Sequence, residues 1–539
     1  MKSVMTHQFS RVPTAEIQRS SFDRSHGYKT TFDASFLVPF YIDEALPGDT
    51  FNLRANMFAR LATPIKPIMD NLIMETFFFA VPIRLVWDNF QKFMGEQTDP
   101  GDSVDYVVPQ MTGPDVASGG IGIGSLSDYF GIPTGALSGG GSTTGITFNS
   151  LWHRAYNLIY NEWFRDQNTQ DSRPVDKDDG PDTYTDYTLR RRGKRFDYFT
   201  SCLPFPQKGP DVLLPLGTSA PVVSDGQVFH MTGAGKTNFE LRGVTGDDKI
   251  ASSGGNFGTS TPGFEWGDVT GLEADLSDAT SATINAMREA FQLQRMYERD
   301  ARGGTRYTEI IKSHFNVTSP DARLQRPEYL GGGQSFINIH PVAQSNASPD
   351  TPTLDNAQGN LSAFGTVSAA GHGFTKSFTE HTLLIGLVSV RADLTYQQGL
   401  NRMFSRRTKY DFYWPTLAHL GEQAVLNKEL YANVPDGTEA TQKDGVFGYQ
   451  ERFAEYRYKP SMITGQFRST SPNSLDVWHL SQEIETLPTL MGGFVLDNAP
   501  IDRVIAVQDE PHFMFDAYIN LKCARPMPVF GVPGMIDHF

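Results

Sequence analysis

Apolar and polar residues alternate with a period of two in two regions near opposite ends of the 539-residue chain. In the first region, apolar side chains occupy every second position from Phe32 to Phe40, and a new alternation starts at Phe51 after the Leu-Pro-Gly-Asp turn at 46–49. Residues 72–81 are apolar on both faces, as in a buried strand. Three strands joined by short turns predict an antiparallel sheet.

The second region begins near residue 378. Residues 378–396, 447–458 and 513–523 are strand-like, the stretch from Phe404 to Trp414 places aromatics on even positions, and residues 417–431 are predicted to be helical. A chain of this length exceeds what a single compact core fills. Strand clusters at both ends, separated by a loop-rich middle, therefore predict a mainly β protein, a β-sandwich with large insertions.

The middle of the chain contains two helical patterns. Asn149 is suited to cap a helix with Leu151 and Ile159 on one face, and a second helix is predicted from Ile284 to Gly303. Composition divides the chain into an N-terminal arm (1–28), first sandwich strands (29–115), a Gly-rich loop and helical insertion (116–206), a surface insertion (207–280), a helical and loop segment (281–376, with 341–373 loop-like), and second sandwich strands with a C-terminal extension (377–539).

Charge restricts the partners of this chain. The formal net charge is -15, so the surface as a whole repels phosphate, and any contact with DNA must come from local basic patches or a separate basic partner. Cys202 and Cys523 are the two cysteines, which supports neither a disulfide framework nor a cysteine-rich zinc site. The N-terminal residues lack a secretory h-region and no stretch is long enough to span a membrane, so a soluble protein without membrane insertion is expected.

Three long segments carry a family resemblance. Residues 22–90 (FDRSHGYKTTFDASFLVPFYIDEALPGDT and onward), 382–415 (TLLIGLVSVRADLTYQQGLNRMFSRRTKYDFYWP) and 525–539 (RPMPVFGVPGMIDHF) resemble, in order, blocks of the major capsid proteins of the Microviridae, in the gokushovirus branch. The resemblance implies an eight-stranded antiparallel jelly-roll β-sandwich with long loop insertions that contain a few helices.

The same resemblance implies a function. Such proteins assemble with copies of themselves into a T=1 icosahedral capsid around circular single-stranded DNA, with a small basic DNA-packaging protein as a further partner. Residues 207–280 are the candidate for a protrusion at the threefold axes. Binding of this insertion to a host surface receptor is one hypothesis, and packing on its threefold mates is the other. The implied location is the virion, after assembly in the host cytoplasm.

Catalytic and cofactor motifs are incomplete. Gly233-Ala-Gly-Lys-Thr237 resembles the end of a phosphate-binding loop, but His230 stands where the motif requires its first glycine. Glu483 and Glu485 fit a solvated strand edge better than a glycosidase pair. Neither a His-x-x-x-His pair nor a Gly-x-Ser-x-Gly elbow is present in the sequence. We therefore predict no catalytic, cofactor-binding or metal-binding residues.

Two basic clusters are candidate nucleic-acid contacts. Arg190, Arg191 and Arg192 precede Phe196 and Tyr198, and two interpretations stay open: contact with packaged phosphates, or neutralisation of the acidic loop 176–186 and subunit contact.

The second cluster is Arg402, Arg406, Arg407 and Lys409, beside aromatics up to Trp414. If 404–414 is a strand, its aromatic face belongs to the core, and Arg407 and Lys409 point outward toward DNA or a neighbouring subunit.

Three functional classes remain to be compared. A self-assembling capsid protein explains the aromatic-rich strands. A β-sandwich protein that binds or cleaves polysaccharide predicts a secretion signal and a convergent acid pair, which the sequence lacks. A tail or spike protein predicts fibrous repeats or coiled-coil heptads, which it also lacks. The capsid function is the one we expect.

Overall fold

The structure is a computed structural model in which the chain divides into two compact units, 1–206 with 318–539 and 207–317. The residues it describes are 18–103, 105–115, 119–135, 145–210, 212, 222–224, 230–233, 236–240, 265–266, 272–274, 284–303, 307–315, 325–346, 358–432 and 442–530.

The described strands of the insertion 207–317 are all short, and the long strands lie in the first unit. In chain order, the described strands are β1 (Ser20–Asp23), β2 (His26–Phe32), β3 (Val38–Ala45), β4 (Thr50–Leu61), β5 (Leu72–Pro82), β6 (Gln110–Thr112), β7 (Thr147–Asn149), β8 (Val222–Ser224), β9 (His230–Gly233), β10 (Lys236–Glu240), β11 (Glu265–Trp266), β12 (Leu272–Ala274), β13 (Glu328–Ala343), β14 (Leu361–Ser377), β15 (Thr382–Ala392), β16 (Thr395–Tyr396), β17 (Glu422–Leu426), β18 (Val446–Glu451), β19 (Ser461–Met462) and β20 (Phe513–Arg525).

Helices are few in the described residues. The α-helices are α1 (Phe90–Phe93), α2 (Leu126–Tyr129), α3 (Leu151–Ile159), which continues as a π-helical turn (Tyr160–Phe164), α4 (Ile284–Arg302), α5 (Tyr307–Phe315), α6 (Asn427–Leu430) and α7 (Gly492–Val495). Short 3-10 turns lie at Ile83–Leu85, Tyr184–Asp186, Arg402–Ser405, Lys409–Asp411, Pro415–Leu417, Ala454–Tyr456, Gly465–Phe467, Asp476–Trp478 and Ile501–Arg503.

Eight of the long strands form a jelly roll. The continuous strand order is β20-β4-β14-β13-β5-β15-β3, with β1 and β2 both paired to β20, and all these pairs are antiparallel. The sheet folds on itself into two four-stranded layers, β2-β20-β4-β14 and β3-β15-β5-β13, which is the order that two Greek keys produce. The predicted jelly-roll fold class is confirmed.

Strands β13 and β14 form the corner where the two layers join. The first half of β13 pairs with β5 and its second half with β14, whereas the second half of β14 pairs with β4. Glycines allow the close approach of backbones at this corner. A Cβ atom added to Gly332 would lie 2.0 Å from the carbonyl oxygen of Thr76, and one added to Gly373 would lie 2.0 Å from that of Leu53.

Aromatic side chains fill the space between the two layers. The ring of Phe40 on β3 contacts Phe78 on β5 at 5.5 Å and Phe515 on β20 at 5.7 Å, both edge-on. Phe32 extends this cluster, with its ring 5.8 Å from that of Phe515. Edge-to-face pairs add to the free energy gained by burying the rings. The alternation of Phe32 to Phe40 therefore places aromatics inside the sandwich, as predicted.

Residues 83–206, which follow β5, cover one outer face of the sandwich. Tyr156 and Ile159 of α3 belong to a second buried cluster, which they form together with Phe79 of β5. Ile385 and Leu387 of β15 complete the sheet side of this cluster. Because both faces of β5 and β15 are buried, these strands are apolar on both sides.

Some local predictions are confirmed and others are wrong. Helix α4 (Ile284–Arg302) forms where predicted, and so does α3, although its N-cap is Ser150; Asn149 precedes the cap, and its side chain accepts a hydrogen bond from Leu151 N. Residues 341–373, predicted as loop-like, contain the end of β13 and most of β14. Residues 417–431, predicted as helical, form β17 and the single turn α6 instead. The domain boundaries inferred from composition remain a prediction.

We expect Phe78→Ala to lower the free energy of unfolding by about 3–5 kcal/mol, since it removes a buried ring and leaves a cavity. Phe58→Ala is the matched control, because Phe58 on β4 is 48% exposed, and it should cost less than about 1 kcal/mol. Guanidinium unfolding of the unassembled protein, followed by tryptophan fluorescence, measures both. Equal destabilisation by the two changes would contradict the described core.

Candidate nucleic-acid interface

The segment Arg190–Arg192 lies inside the first unit as a connector. The amide of Leu37 donates to the carbonyl oxygen of Arg190 at 2.9 Å, and the amide of Arg192 donates to that of Ser35 at 2.8 Å. The amide of Asp497 donates to the carbonyl oxygen of Arg192 at 2.9 Å. The backbone of this segment thus ties the β5–β13 insertion to the β2–β3 connection and to the β15–β20 insertion.

The side chain of Arg192 forms an ion pair with Glu75 on β5, and Arg391 on β15 binds the same carboxylate at 3.1 Å. All three side chains are largely buried, with exposures of 13%, 14% and 4% for Arg192, Glu75 and Arg391. Burial opposes ionisation of Glu75, but the two guanidinium groups outweigh it and lower the pKa of this carboxyl. The positive charge of Arg192 is therefore balanced by Glu75 within the protein.

The other two arginines of this segment also contact the protein. The guanidinium of Arg191 lies 4.5 Å from the centre of the Phe36 ring and donates to Asn498 Oδ1. Arg190 donates to the carbonyl oxygen of Asp186 at 3.4 Å. Burial, followed by the nearby charge of Arg173, lowers the pKa of Arg190.

The acidic loop 176–186 forms ion pairs with Arg154 of α3. The fully buried guanidinium of Arg154 on α3 pairs with Asp182 and, at 3.3 Å, with Asp178. Among the described residues, Arg190, Arg191 and Arg192 form no ion pair with that loop, although Arg190 contacts the carbonyl oxygen of its Asp186, so neutralisation of the loop by this cluster stays a prediction. Their contact with DNA remains a prediction.

The second basic cluster does not form the predicted strand. Its residues form two 3-10 turns, because polar side chains bond to the local backbone. Asn401 Oδ1 accepts from Met403 N at 3.0 Å, and the Asp411 carboxylate accepts from the amides of Arg407 and Thr408 at 2.8 and 2.7 Å. These two amide hydrogen bonds lower the pKa of Asp411.

The aromatics of this segment are consequently exposed rather than in the core. Phe404 is 69% exposed, and the exposed fractions of Tyr410, Phe412 and Trp414 lie between 50% and 57%. These rings stand at even-numbered positions of a segment that folds into turns rather than a strand. The prediction that they share a buried face is therefore wrong.

The four cations of this cluster separate into two pairs. Arg402 turns inward and donates to Glu429 Oε1 at 2.9 Å, and Arg406 lies 3.6 Å from Glu455 Oε1 with its guanidinium 4.4 Å from the Tyr456 ring centre. Burial raises the pKa of Glu429, although the charge of Arg402 opposes this. Both arginines thus hold the β17–β18 region together.

Arg407 and Lys409 remain at the surface. Both are exposed, and neither forms an ion pair within the described part of the chain. The Lys409 ammonium lies 5.0 Å from the Tyr410 ring centre, and Trp414 donates its indole N–H to the Lys409 carbonyl oxygen at 2.8 Å. Exposed cations beside exposed rings suit the phosphates and bases of single-stranded nucleic acid. The same residue types also occur in protein interfaces.

A further cationic surface was not predicted from the sequence. It is the outer face of the β2-β20-β4-β14 layer, where Arg54, Phe58 and Arg60 of β4 and Tyr518 of β20 are exposed. The signal for Arg54, Phe58 and Arg60 was available in the alternation that begins at Phe51, because these residues occupy positions between its apolar residues.

The glycine-rich motif at 233–237 has no phosphate-binding context. His230–Gly233 and Lys236–Glu240 form an antiparallel strand pair with Lys236 opposite Gly233. A phosphate-binding loop requires a strand followed by a helix. Within the described residues, no group of three or more His, Cys, Asp or Glu side chains is placed to hold a metal ion. Nor is any helix in those residues apolar over a length that would cross a bilayer.

Comparison with known proteins gives one consistent result. Residues 10–535 match the family model described as "Capsid protein (F protein)". Capsid protein VP1 of Bdellovibrio phage phiMH2K is 46% identical, covering 99% of this chain and 98% of the relative. Capsid protein VP1 of Chlamydia phage 1 is 45% identical, covering 99% of this chain and 98% of the relative. Capsid protein VP1 of Spiroplasma virus 4 is 36% identical, covering 98% of this chain and 97% of the relative.

We expect Glu75→Gln to lower the free energy of unfolding by about 3 kcal/mol, because it removes the ion-pair partner of the buried Arg192 and leaves the buried Arg391 with only Asp393, at 3.6 Å. The control is Arg457→Gln, which breaks the exposed ion pair with Glu451 and should change stability by less than about 1 kcal/mol. Thermal and guanidinium unfolding provide the measurement. A Glu75 variant as stable as the control would show that the buried network contributes little.

The family match spans almost the whole chain, and its relatives are capsid proteins with a structural rather than an enzymatic role. The predicted resemblance to Microviridae is confirmed. The chain belongs to the capsid protein (F protein) family and is a virion component, a major capsid protein of the Microviridae phages.

Proposed function

We propose that the protein assembles with copies of itself into a T=1 icosahedral capsid that encloses circular single-stranded DNA. The observation that carries this proposal is a single jelly roll per chain in a protein whose family match spans 10–535. One sandwich per chain suits the simplest icosahedral shell, in which every copy has the same environment. Assembly would take place in the host cytoplasm.

Exposed apolar side chains support contact between copies. Besides the aromatics of 404–414, several large apolar residues of the β15–β20 insertion are exposed by about half of their surface or more: Leu420, Tyr458, Met462, Met491 and Val507. A single soluble domain rarely exposes so many large apolar groups close in sequence, whereas subunit interfaces use them.

Arg407 and Lys409 are our proposed DNA contacts in this insertion. Their cationic groups are exposed, and the Tyr410 and Trp414 rings beside them can stack on unpaired bases. Residues 400–470 contain ten Lys and Arg against eight Asp and Glu, whereas the whole chain has a net charge of -15. The segment is therefore locally basic in an acidic protein.

A small basic packaging protein would complete the charge balance. Many copies of a chain with net charge -15 repel a polyanion inside a shell unless cations intervene. We propose that such a protein is packaged with the DNA and accounts for much of the missing positive charge.

The insertion 207–280 is proposed to form the protrusion at the threefold axes. It belongs to the compact unit 207–317, and most of it lies outside the described residues. Attachment to a host surface receptor and packing on symmetry mates are the two roles under consideration. Adsorption of particles that lack the tip of this insertion distinguishes them, because normal adsorption would eliminate attachment.

We expect electron microscopy and analytical sedimentation of the purified, assembled protein to show isometric particles of one size, as a T=1 shell requires. Mass measurement of these particles then gives the copy number directly. Small oligomers under all assembly conditions, or particles of a larger triangulation number, would contradict the proposed shell.

We expect the double charge reversal Arg407→Glu with Lys409→Glu to lower the fraction of DNA-filled particles several-fold, since two phosphate contacts become repulsive. The matched control is Lys177→Glu with Lys312→Glu, which changes the net charge equally at two other exposed lysines. Density-gradient separation of full and empty particles, with genome quantification, is the measurement. Equal packaging by both variants would exclude this contact.

A further inference from the structure

One whole face of the sandwich carries no covering element among the described residues. In the β2-β20-β4-β14 layer, the inward side chains of β4 and β20 are buried and the alternate, outward side chains are exposed along both strands. The other layer differs, because residues 83–206 pack on its outer face and bury it. The outer face of this layer is therefore accessible to a partner.

An apolar band crosses the centre of this face. Phe58 on β4 lies opposite Asp516 on β20, Met514 opposite Arg60, and Tyr518 opposite Asn56. Met514, Phe58 and Tyr518 are consequently diagonal neighbours across the two central strands, and each is 48–52% exposed. Two half-exposed aromatic side chains, Phe58 and Tyr518, therefore occupy diagonal positions on neighbouring strands.

Basic and amide side chains surround this band. Lys29, Arg54, Arg60 and Lys522 are basic residues of the face, and its acidic residues are Asp23 and Asp516. Asp516 is paired with Lys29 at 2.7 Å, and Asp23 bonds to Ser25 and lies opposite Lys522, whose charge it also feels. Within the described residues, Arg54, Arg60 and Lys522 form no side-chain hydrogen bond or ion pair. The remaining outward positions include three amides that can bond to base edges: Asn52, Asn56 and Asn520.

We propose that this face binds single-stranded DNA, with phosphates on Arg54, Arg60 and Lys522 and bases stacked on Phe58 and Tyr518. Unpaired bases stack on exposed aromatic rings of a sheet, and a basic surround holds the backbone. The inference rests on the proposed enclosure of single-stranded DNA, and it adds a site separate from Arg407 and Lys409.

Charge complementarity favours DNA over the other occupants of the face. A second copy of the same face would bring Arg54 and Arg60 against like charges, which is unfavourable. A small basic packaging protein would meet the same repulsion. A polyanion instead releases its counterions when it meets these cations, in a protein that is otherwise acidic.

The first test uses the unassembled full-length protein and a fluorescein-labelled oligothymidylate at several salt concentrations. Arg54→Gln with Arg60→Gln should reduce the slope of log affinity against log salt by about 1.4, the value for two lost single-strand phosphate contacts. Phe58→Ala and Tyr518→Ala should each weaken binding roughly fivefold or more through lost stacking. The control, Lys177→Gln with Lys312→Gln, should leave both quantities unchanged.

Unchanged DNA binding in all of these folded variants would overturn the inference. If, in addition, the variants altered the sedimentation of the protein, the face would be an interface between copies instead. Phe58→Ala serves as an internal check on folding, because its exposed ring contributes little to the core.

The second test uses intact DNA-filled particles, so that its failure is distinct from failure of the proposed function. Ultraviolet irradiation, followed by nuclease and protease digestion and mass spectrometry, should find nucleotide adducts on peptides containing Phe58 or Tyr518. DNA-filled particles whose adducts fall only on other peptides would overturn this site and leave DNA enclosure standing. Particles without DNA would contradict the enclosure itself.

Discussion

The fold depends on the pairing of β20 with strands from the opposite end of the chain. Residues 513–525 insert between β2 and β4, with Phe513 opposite Phe32 on one side and Leu61 on the other. Without β20, the layer that contains β4 would lose its centre, and Phe515 would no longer contact Phe40 across the core. Because the sandwich strands come from three separate stretches, 26–82, 328–392 and 513–525, the residues between β5 and β13 and between β15 and β20 must leave it as insertions.

The two insertions are tied back to the sandwich by charge and by backbone hydrogen bonds. Arg192, in the first insertion, pairs with Glu75 of β5, and its backbone also bonds to Asp497 of the second insertion. Buried ion pairs of this kind are costly to break because each partner leaves an uncompensated charge. The arginine-rich stretch thus fixes the position of residues 190–192 and of Asp497 on the sandwich, while Arg407 and Lys409 remain at the surface.

The sequence predicted the strands that combine a clear period with bulky side chains, such as 32–40 and 513–523. The prediction of secondary structure failed where another physical requirement outweighed the alternation of apolar and polar residues. Strands β13 and β14 contain Gly332 and Gly373, which close backbone contacts require, and glycine-rich stretches resemble loops. The spacing of the aromatics up to Trp414 resembled a strand, but Asp411 binds local amides and folds the segment into turns. Contacts distant in sequence, such as Arg192 with Glu75, have no local signal.

The central place of β20 also affects biosynthesis. A ribosome produces β2 and β4 several hundred residues before the strand that must lie between them, so the nascent chain holds two incomplete edges until translation is nearly finished. We expect chains that stop before β20 to leave the sandwich open, with the edges of β2 and β4 unpaired. Incorporation into particles is thereby restricted to copies translated at least as far as this strand.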